Sequence, residues 1–203
     1  MATEFNRKNL SKLQSALNAW RDERKLSIAS QRAGLIANIL EEVTEYMRAL
    51  TDDDKIDALC DICVFAINAI DIDLREAPAW LEDNEHKLTT WDKFKYPKKS
   101  HEWNCRNEMR VIVGTLSYME FNELFDQDTD YMLGQLYGII HSSFIMGFNM
   151  GYDMFACMQE VIKEISSRTG AYDESIGKWV KDTSPEAKAK WYKADFSKCR
   201  LEP

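Results

Sequence analysis

The fold is decided by residues 41–68, which read EEVTEYMRALTDDDKIDALCDICVFAIN. Apolar residues recur here at every third or fourth position, the spacing that places them on one face of an α-helix. Thr51 and the three aspartates after it interrupt this pattern with residues typical of a turn and a helix start. We therefore predict two helices that fold back on each other as an antiparallel hairpin about Thr51.

Acidic residues occupy one face of each predicted helix. Glu41 and Glu45 are four residues apart in the first helix, and Asp57, Asp61 and Asn68 share a face of the second. Glu41 is followed at the next turn by another acid rather than by a base, which costs helix stability. The repeated acids therefore call for an explanation beyond helix formation.

Antiparallel pairing would place Glu41 opposite Asp61 and Glu45 opposite Asp57, with Glu42 beside them. Carboxylates this close repel one another, and a hard divalent cation with a preference for oxygen ligands relieves that repulsion. We predict Mg²⁺, or Mn²⁺ in its place, bound by these five carboxylates. A di-iron centre is excluded because neither helix contains histidine. The alternative is two acidic helix faces exposed to solvent, which are common in soluble proteins.

The rest of the chain also favours helices, since 203 residues contain only 8 glycines and 4 prolines. We predict a single all-α domain, a helical bundle over 1–203, with helices at 4–22, 29–50, 54–75, 101–125, 129–147 and 151–168. Residues 75–127 are predicted to form an insertion, loop-rich around Trp80, Trp91 and Trp103, and residues 169–203 an irregular, basic tail. The core stripe of the second helix is expected to comprise Ile36, Ile39, Leu40, Val43, Met47 and Leu50.

Composition limits the classes of function. The net charge of −8 argues against general binding to a nucleic-acid backbone. No apolar run resembles a signal peptide or a membrane helix, and the five cysteines are an odd number, so we expect a cytoplasmic protein without membrane contact. Cys60 and Cys63 have the spacing of a redox motif, but apolar neighbours within a helix indicate core thiols.

The motif Glu-Glu-x-x-Glu at 41–45, followed by Asp-x-x-x-Asp at 57–61 and by Asn68, resembles the all-α NTP pyrophosphatase superfamily. That superfamily includes MazG, phosphoribosyl-ATP pyrophosphohydrolase and the dimeric dUTPases. Ala58 departs from the pattern, because the family usually has Glu there, and this leaves open whether Asp57 or Glu42 completes the metal shell. The resemblance covers about 28–72 and 130–197, where residues 158–168, 177–181 and 191–196 are similar to the family's C-terminal segments.

The resemblance implies a Mg²⁺-dependent enzyme that hydrolyses a nucleoside triphosphate to the monophosphate and pyrophosphate. Glu42 or Glu45 would be the base that activates water. The residues expected to hold the substrate are Asn68, Arg168, Lys178 and Lys181. A homodimer or a dimer of dimers is also implied.

Two alternatives stay open. The chain could be a non-catalytic helical binding protein that keeps this fold, or it could hydrolyse a nucleotide-like substrate such as phosphoribosyl-ATP. The base pocket has no local motif, and Phe5, Leu13, Trp20 and Gln31 on the N-terminal helices are the candidates for it.

Overall fold

The structure is a computed structural model that describes residues 3–78, 81, 101–121, 129–176 and 178–202. It is mostly helical, which confirms the all-α class. The α-helices of this part of the chain are α1 (Arg7–Glu23), α2 (Ile28–Arg48), α3 (Asp52–Asn68), α4 (His101–Phe121), α5 (Thr129–Asn149), α6 (Met154–Ser167) and α7 (Pro185–Lys188). Strands β1 (Gly170–Asp173) and β2 (Lys178–Lys181) form an antiparallel pair, and a 3₁₀ helix spans Phe196–Cys199.

Helix α3 is the innermost element of the bundle. Helices α1, α2, α5 and α6 and the 3₁₀ helix all pack against it. Its buried side chains are Ile56, Ala58, Leu59, Cys60, Ile62, Cys63, Val64, Ala66, Ile67 and Asn68. A helix with neighbours on most sides is apolar around most of its circumference, and Asp57 and Asp61 lie on the strip that stays open to solvent.

The α2–α3 hairpin is confirmed, and its turn is fixed by a capping box. The Thr51 hydroxyl accepts a hydrogen bond from the Asp54 amide at 3.1 Å, and the Asp54 carboxylate accepts one from the Thr51 amide at 3.3 Å. The three aspartates of the first turn also interact favourably with the positive end of the helix. These contacts set the residue at which α3 begins, and hence which acids face α2.

The prediction that the third helix continues to residue 75 is wrong, because α3 ends at Asn68. Side chains from other helices satisfy the backbone groups that follow it. Arg32 donates to the Ala69 carbonyl at 2.9 Å. Gln14 donates to the Ile72 carbonyl at 2.7 Å and accepts from the Leu74 amide at 2.9 Å. The chain leaves the helix here because tertiary hydrogen bonds replace helical ones.

The predicted core stripe of α2 is wrong for three residues. Leu40, Met47 and Leu50 are 42%, 63% and 95% exposed. Ile39 and Val43 are buried as predicted, and Leu35 is the third buried residue of the helix. Large apolar side chains are also exposed on α4 and α5, at Val111, Tyr118 and Tyr131.

Helix α4 belongs to the bundle, although it falls within the predicted insertion at 75–127. It packs along α5 and buries Cys105, Met109, Ile112, Leu116 and Met119. Trp80, Trp91, the side chain of Trp103 and residues 122–128 lie outside the described residues.

The tail at 169–203 is more regular than predicted. Strands β1 and β2 pair Gly170 with Lys181 and Tyr172 with Trp179. A Cβ atom on Gly170 would lie 2.3 Å from the Val180 carbonyl oxygen, so this close pairing requires glycine. Four-residue strands are too short to show a clear alternation in the sequence.

The last described residues return to the bundle at the turn between α5 and α6. The Asp153 amide donates to the Cys199 carbonyl at 2.8 Å, and the Leu201 amide donates to the Gly151 carbonyl at 2.7 Å. Gly151 has a φ of 87°, which favours glycine. Among the described helices, none has the length and apolar character needed to cross a membrane.

Candidate functional site

Acidic side chains from α2 and α3 lie together in the structure. Glu42 and Asp61 are half-buried, whereas Asp57 keeps more contact with water. Burial, followed by repulsion from Asp61, Glu45, Asp57 and Glu41, raises the pKa of Glu42 to about 8. The five predicted carboxylates therefore act on one another electrostatically.

Asp57 and Asp61 of α3 also have raised pKa values. Burial and the neighbouring Asp57 raise the pKa of Asp61 to about 7. Burial and repulsion from Glu164 raise the pKa of Asp57 to about 6. Burial is the main cause of these raised pKa values, and repulsion between neighbouring acids adds to it.

Glu42 and Glu45 are the acids of α2 that act on the aspartates of α3. Among the charges that act on Glu42, Asp61 has the largest effect, whereas Glu41 is exposed and was expected opposite Asp61. Glu45, also exposed, acts on both Asp57 and Asp61.

The carboxylates are neighbours, but they have not converged on one point. Within the described ranges, no group of three or more His, Cys, Asp or Glu side chains is arranged to hold a metal ion. Their chemistry nevertheless fits a hard divalent cation, because all are oxygen donors and a cation would offset the repulsion among them. Rotation about the side-chain bonds of the exposed glutamates moves their carboxylates without changing the backbone.

Basic residues lie beside these acids. Arg168, the residue after α6, lowers the pKa of both Asp57 and Asp61, and Lys193 lowers that of Asp57. Partial burial and Arg168 lower the pKa of Lys181, while Asp61 acts in the opposite direction. Three separate segments of the chain thus each place a basic residue near Asp57 or Asp61.

Lys178 occupies a different position from Lys181. On β2, Trp179 and Lys181 share the face that packs inward, with Trp179 against Arg24 and Lys181 near the ring of Trp191. Lys178 pairs with Asp173 on the opposite face of the strand. Of the predicted phosphate-binding residues, Arg168 and Lys181 lie beside the acids and Lys178 points away from them.

Glu164 is a site residue that sequence reasoning missed. Its carboxylate accepts hydrogen bonds from Arg168 at 2.8 Å and from the Ala194 amide at 2.8 Å. Burial raises the pKa of Glu164, but these bonds and the nearby cations outweigh burial, and the net shift is downward. No motif around residue 164 signals this role, because its partners include a residue thirty positions later.

Arg24 holds the basic segments against the bundle and was also missed. Its guanidinium lies between the rings of Trp20 and Trp179, at 5.0 and 4.8 Å from their centroids. It donates to the carbonyls of Ile165 at 3.3 Å and Arg168 at 3.1 Å. Arg24 thereby fixes both the end of α6 and the β-hairpin.

Asn68 lies at the end of α3 with its side chain buried. The residue is 1% exposed, and neither polar atom of its amide has a hydrogen-bond partner. Its backbone carbonyl accepts from Arg21 at 3.2 Å. A buried amide without partners is costly, so a ligand that offers both a donor and an acceptor would stabilise this position.

Three candidates for a base pocket have structural contacts instead. Phe5 and Leu13 are buried in the core. Trp20 donates its indole N–H to the Ile165 carbonyl at 3.2 Å and packs against Arg24. Gln31 is half-buried at the start of α2, so it alone of the four keeps partial exposure without a core role.

The prediction of core thiols is confirmed. Cys60 and Cys63 are both 0% exposed. Burial raises the pKa of Cys60, with further contributions from the Cys157 thiol, and burial raises the pKa of Cys63 to about 12. A buried thiol with a raised pKa stays protonated, and a protonated thiol is a poor nucleophile and a poor metal ligand.

Comparisons of the chain with protein-family models, with curated proteins and with solved structures found no match. The function is therefore inferred from the residues and their geometry.

Proposed function

We propose that the protein is a Mg²⁺-dependent nucleoside triphosphate pyrophosphohydrolase of the all-α type, which converts a (d)NTP and water to a (d)NMP and pyrophosphate. The observation that carries this proposal is the meeting of two sets of charges. Asp57 and Asp61, whose pKa values are raised, lie beside Arg168, Lys181 and Lys193. A bound metal cation would offset the charge of the carboxylates, and a bound polyphosphate would offset the charge of the basic residues.

The acids are suited to hold the cation. Glu42, Asp57 and Asp61 would be its inner ligands, with Glu41 and Glu45 on the exposed side. Bound Mg²⁺ would neutralise charge on the phosphates and lower the pKa of the attacking water. Glu45 and Glu42 are the candidate bases, Glu45 because it is exposed to water and Glu42 because its pKa lies near neutrality.

The neighbouring cations are suited to hold the phosphates. Arg168 can donate two parallel hydrogen bonds to phosphate oxygens, and Lys181 provides a compact charge. Lys178 remains a prediction with less support, since it lies on the outer face of β2. The buried amide of Asn68 offers a donor and an acceptor to the nucleoside part of the substrate.

The homodimer also remains a prediction. Its support is limited to the large apolar residues that are exposed on α2, directly after α2, and on α4 and α5. These residues are Leu40, Met47, Leu50, Val111, Tyr118 and Tyr131.

The proposal is tested by incubating the pure protein with each NTP and dNTP, and separately with phosphoribosyl-ATP, plus Mg²⁺ and identifying the products. We expect a nucleoside monophosphate and pyrophosphate in equal amounts, without inorganic phosphate, and no turnover when a chelator replaces Mg²⁺. Release of inorganic phosphate would contradict α–β cleavage. Binding without turnover would favour the non-catalytic alternative, and turnover of phosphoribosyl-ATP alone would identify the other one.

Metal binding is expected to depend on pH through the same carboxylates. Their pKa values are raised in the folded protein, in Glu42 from 4.5 to about 8. The folded state therefore holds protons that the unfolded state has lost, so stability without metal falls as pH rises through this window. Because protons compete with the metal, Mg²⁺ should raise Tm more at about pH 8.5 than at about pH 6. Thermal unfolding in matched Na⁺ is the control, and an equal shift at both pH values would argue against binding at this cluster.

A further inference from the structure

Glu164 uses both of its carboxylate oxygens on separate partners. One oxygen accepts from the Arg168 guanidinium at 2.8 Å, and the other accepts from the Ala194 amide at 2.8 Å. The side chain of Glu164 is 18% exposed and that of Arg168 is 28% exposed. Both groups are therefore largely withdrawn from water, where a charge-assisted bond is stronger than at the open surface.

The bond to Ala194 is one of three backbone-amide hydrogen bonds that fix the segment 192–195 along α6. The Tyr192 amide donates to the Ser167 hydroxyl at 2.8 Å, and the Asp195 amide donates to the Glu160 carboxylate at 3.2 Å. Glu164 lies between these two contacts and holds the residue next to Lys193. The position of Lys193 along the helix is thus set by side chains of α6.

Arg168 and Lys193 consequently stand on the same side of the bundle, although 25 residues separate them in sequence. Both act on Asp57, and Arg168 also acts on Asp61. The carboxylate that connects them is Glu164, which binds Arg168 directly and Lys193 through its neighbour's backbone.

We propose that Glu164 is a positioning residue that holds Arg168 and Lys193 together as a binding pair for the polyphosphate chain of the substrate. This inference rests on the proposed function, and it adds Lys193 to the phosphate-binding residues. A role for Glu164 as a metal ligand is disfavoured because both of its oxygens already accept hydrogen bonds from donors.

The test is the Glu164→Gln variant, with tripolyphosphate plus Mg²⁺ as the binding probe in titration calorimetry. Gln keeps the shape of the side chain but loses the charge that orients the guanidinium. We expect tripolyphosphate affinity to fall about tenfold, the loss of one charge-assisted hydrogen bond. In turnover assays KM should rise by a similar factor while kcat changes little, and the Tm shift caused by Mg²⁺ alone should stay unchanged.

Glu160→Gln is the matched control. Glu160 lies one turn earlier on α6 and contacts Lys163, the Tyr192 hydroxyl and the Asp195 amide. It anchors the same segment without contacting Arg168, so its loss should leave tripolyphosphate affinity within about twofold. An Arg168→Gln variant gives a second measurement, in which adding Glu164→Gln should weaken binding far less than it does in the wild type.

Each result decides the inference. Unchanged tripolyphosphate affinity in Glu164→Gln, or a loss of the Mg²⁺-induced Tm shift, overturns it, while turnover by the wild type keeps the proposed function intact. An equal weakening in Glu160→Gln also overturns it, because general docking of the segment would then be responsible. If the wild type neither binds tripolyphosphate nor hydrolyses any nucleotide, the proposed function fails and this inference fails with it.

Discussion

Replacement of Asp61 with Asn is expected to reduce pyrophosphate release by at least about 100-fold, the scale of losing a ligand from a catalytic metal site. Asp61 lies where the charges of Asp57, Glu45 and Glu42 meet, on the open strip of α3. Asn keeps the size and one oxygen but has no negative charge to offer a divalent cation. Glu45→Gln should cause a comparable loss. The measurement is initial-rate release of pyrophosphate under saturating Mg²⁺.

The Asp61→Asn variant should be more stable than the wild type in the absence of metal. A loss of activity in this variant would then not be due to unfolding. Asp61 raises the pKa of Glu42, and the pKa of Asp61 is itself about 7. Above that pH the ionised cluster opposes folding, so a neutral Asn should raise Tm. Asp22→Asn, on the exposed face of α1, is the matched control and should change neither quantity. Undiminished turnover in both Asp61→Asn and Glu45→Gln would place the chemistry elsewhere.

Arg24→Ala is expected to lower the free energy of unfolding by roughly 3 kcal/mol, the cost of breaking a buried, hydrogen-bonded charge network. The Arg24 side chain is only 3% exposed. Its loss removes a donor from the carbonyls of Ile165 and Arg168, of which Ile165 keeps the Trp20 indole, and it removes the cation between Trp20 and Trp179. Urea unfolding monitored by tryptophan fluorescence measures this change.

The neighbouring residue provides the comparison for Arg24. Lys25 pairs with Glu174 at 3.0 Å, but both side chains are well exposed. Lys25→Gln should therefore cost no more than about 0.5 kcal/mol. If Arg24→Ala were no more destabilising than Lys25→Gln, the contacts of Arg24 with α6 and the β-hairpin would contribute little to stability.

The sequence predicted the features that depend on local spacing. Apolar periodicity located the helices, Thr51 marked the turn, and the acids of α2 and α3 were expected to meet. The end of α3 could not be predicted, because Gln14 and Arg32 terminate it from other helices. The exposure of Leu40 could not be predicted either, since Leu40 and Ile39 are both apolar and only packing decides which one faces the core.

The candidate site was predictable only in part, for the same reason. Carboxylates that repeat on adjacent helices leave a pattern in sequence, and so did Arg168. Glu164 and Arg24 act through backbone groups of distant segments, and a backbone group carries no sequence signature. Lys193 is one of many exposed lysines until the fold brings it to Asp57.

Helix α3 has two roles, since it packs at the centre of the bundle and also carries acids of the candidate site. Its side chains at the centre of the bundle must fill a fixed volume, and Asp57 and Asp61 project from the same rigid backbone. A deep mutational scan should therefore find its lowest tolerance along 56–68. Outside Asp57 and Asp61, the variants of that stretch that keep abundance and those that keep turnover should largely coincide, because a change in packing at Leu59 or Ile62 displaces acids one or two residues away.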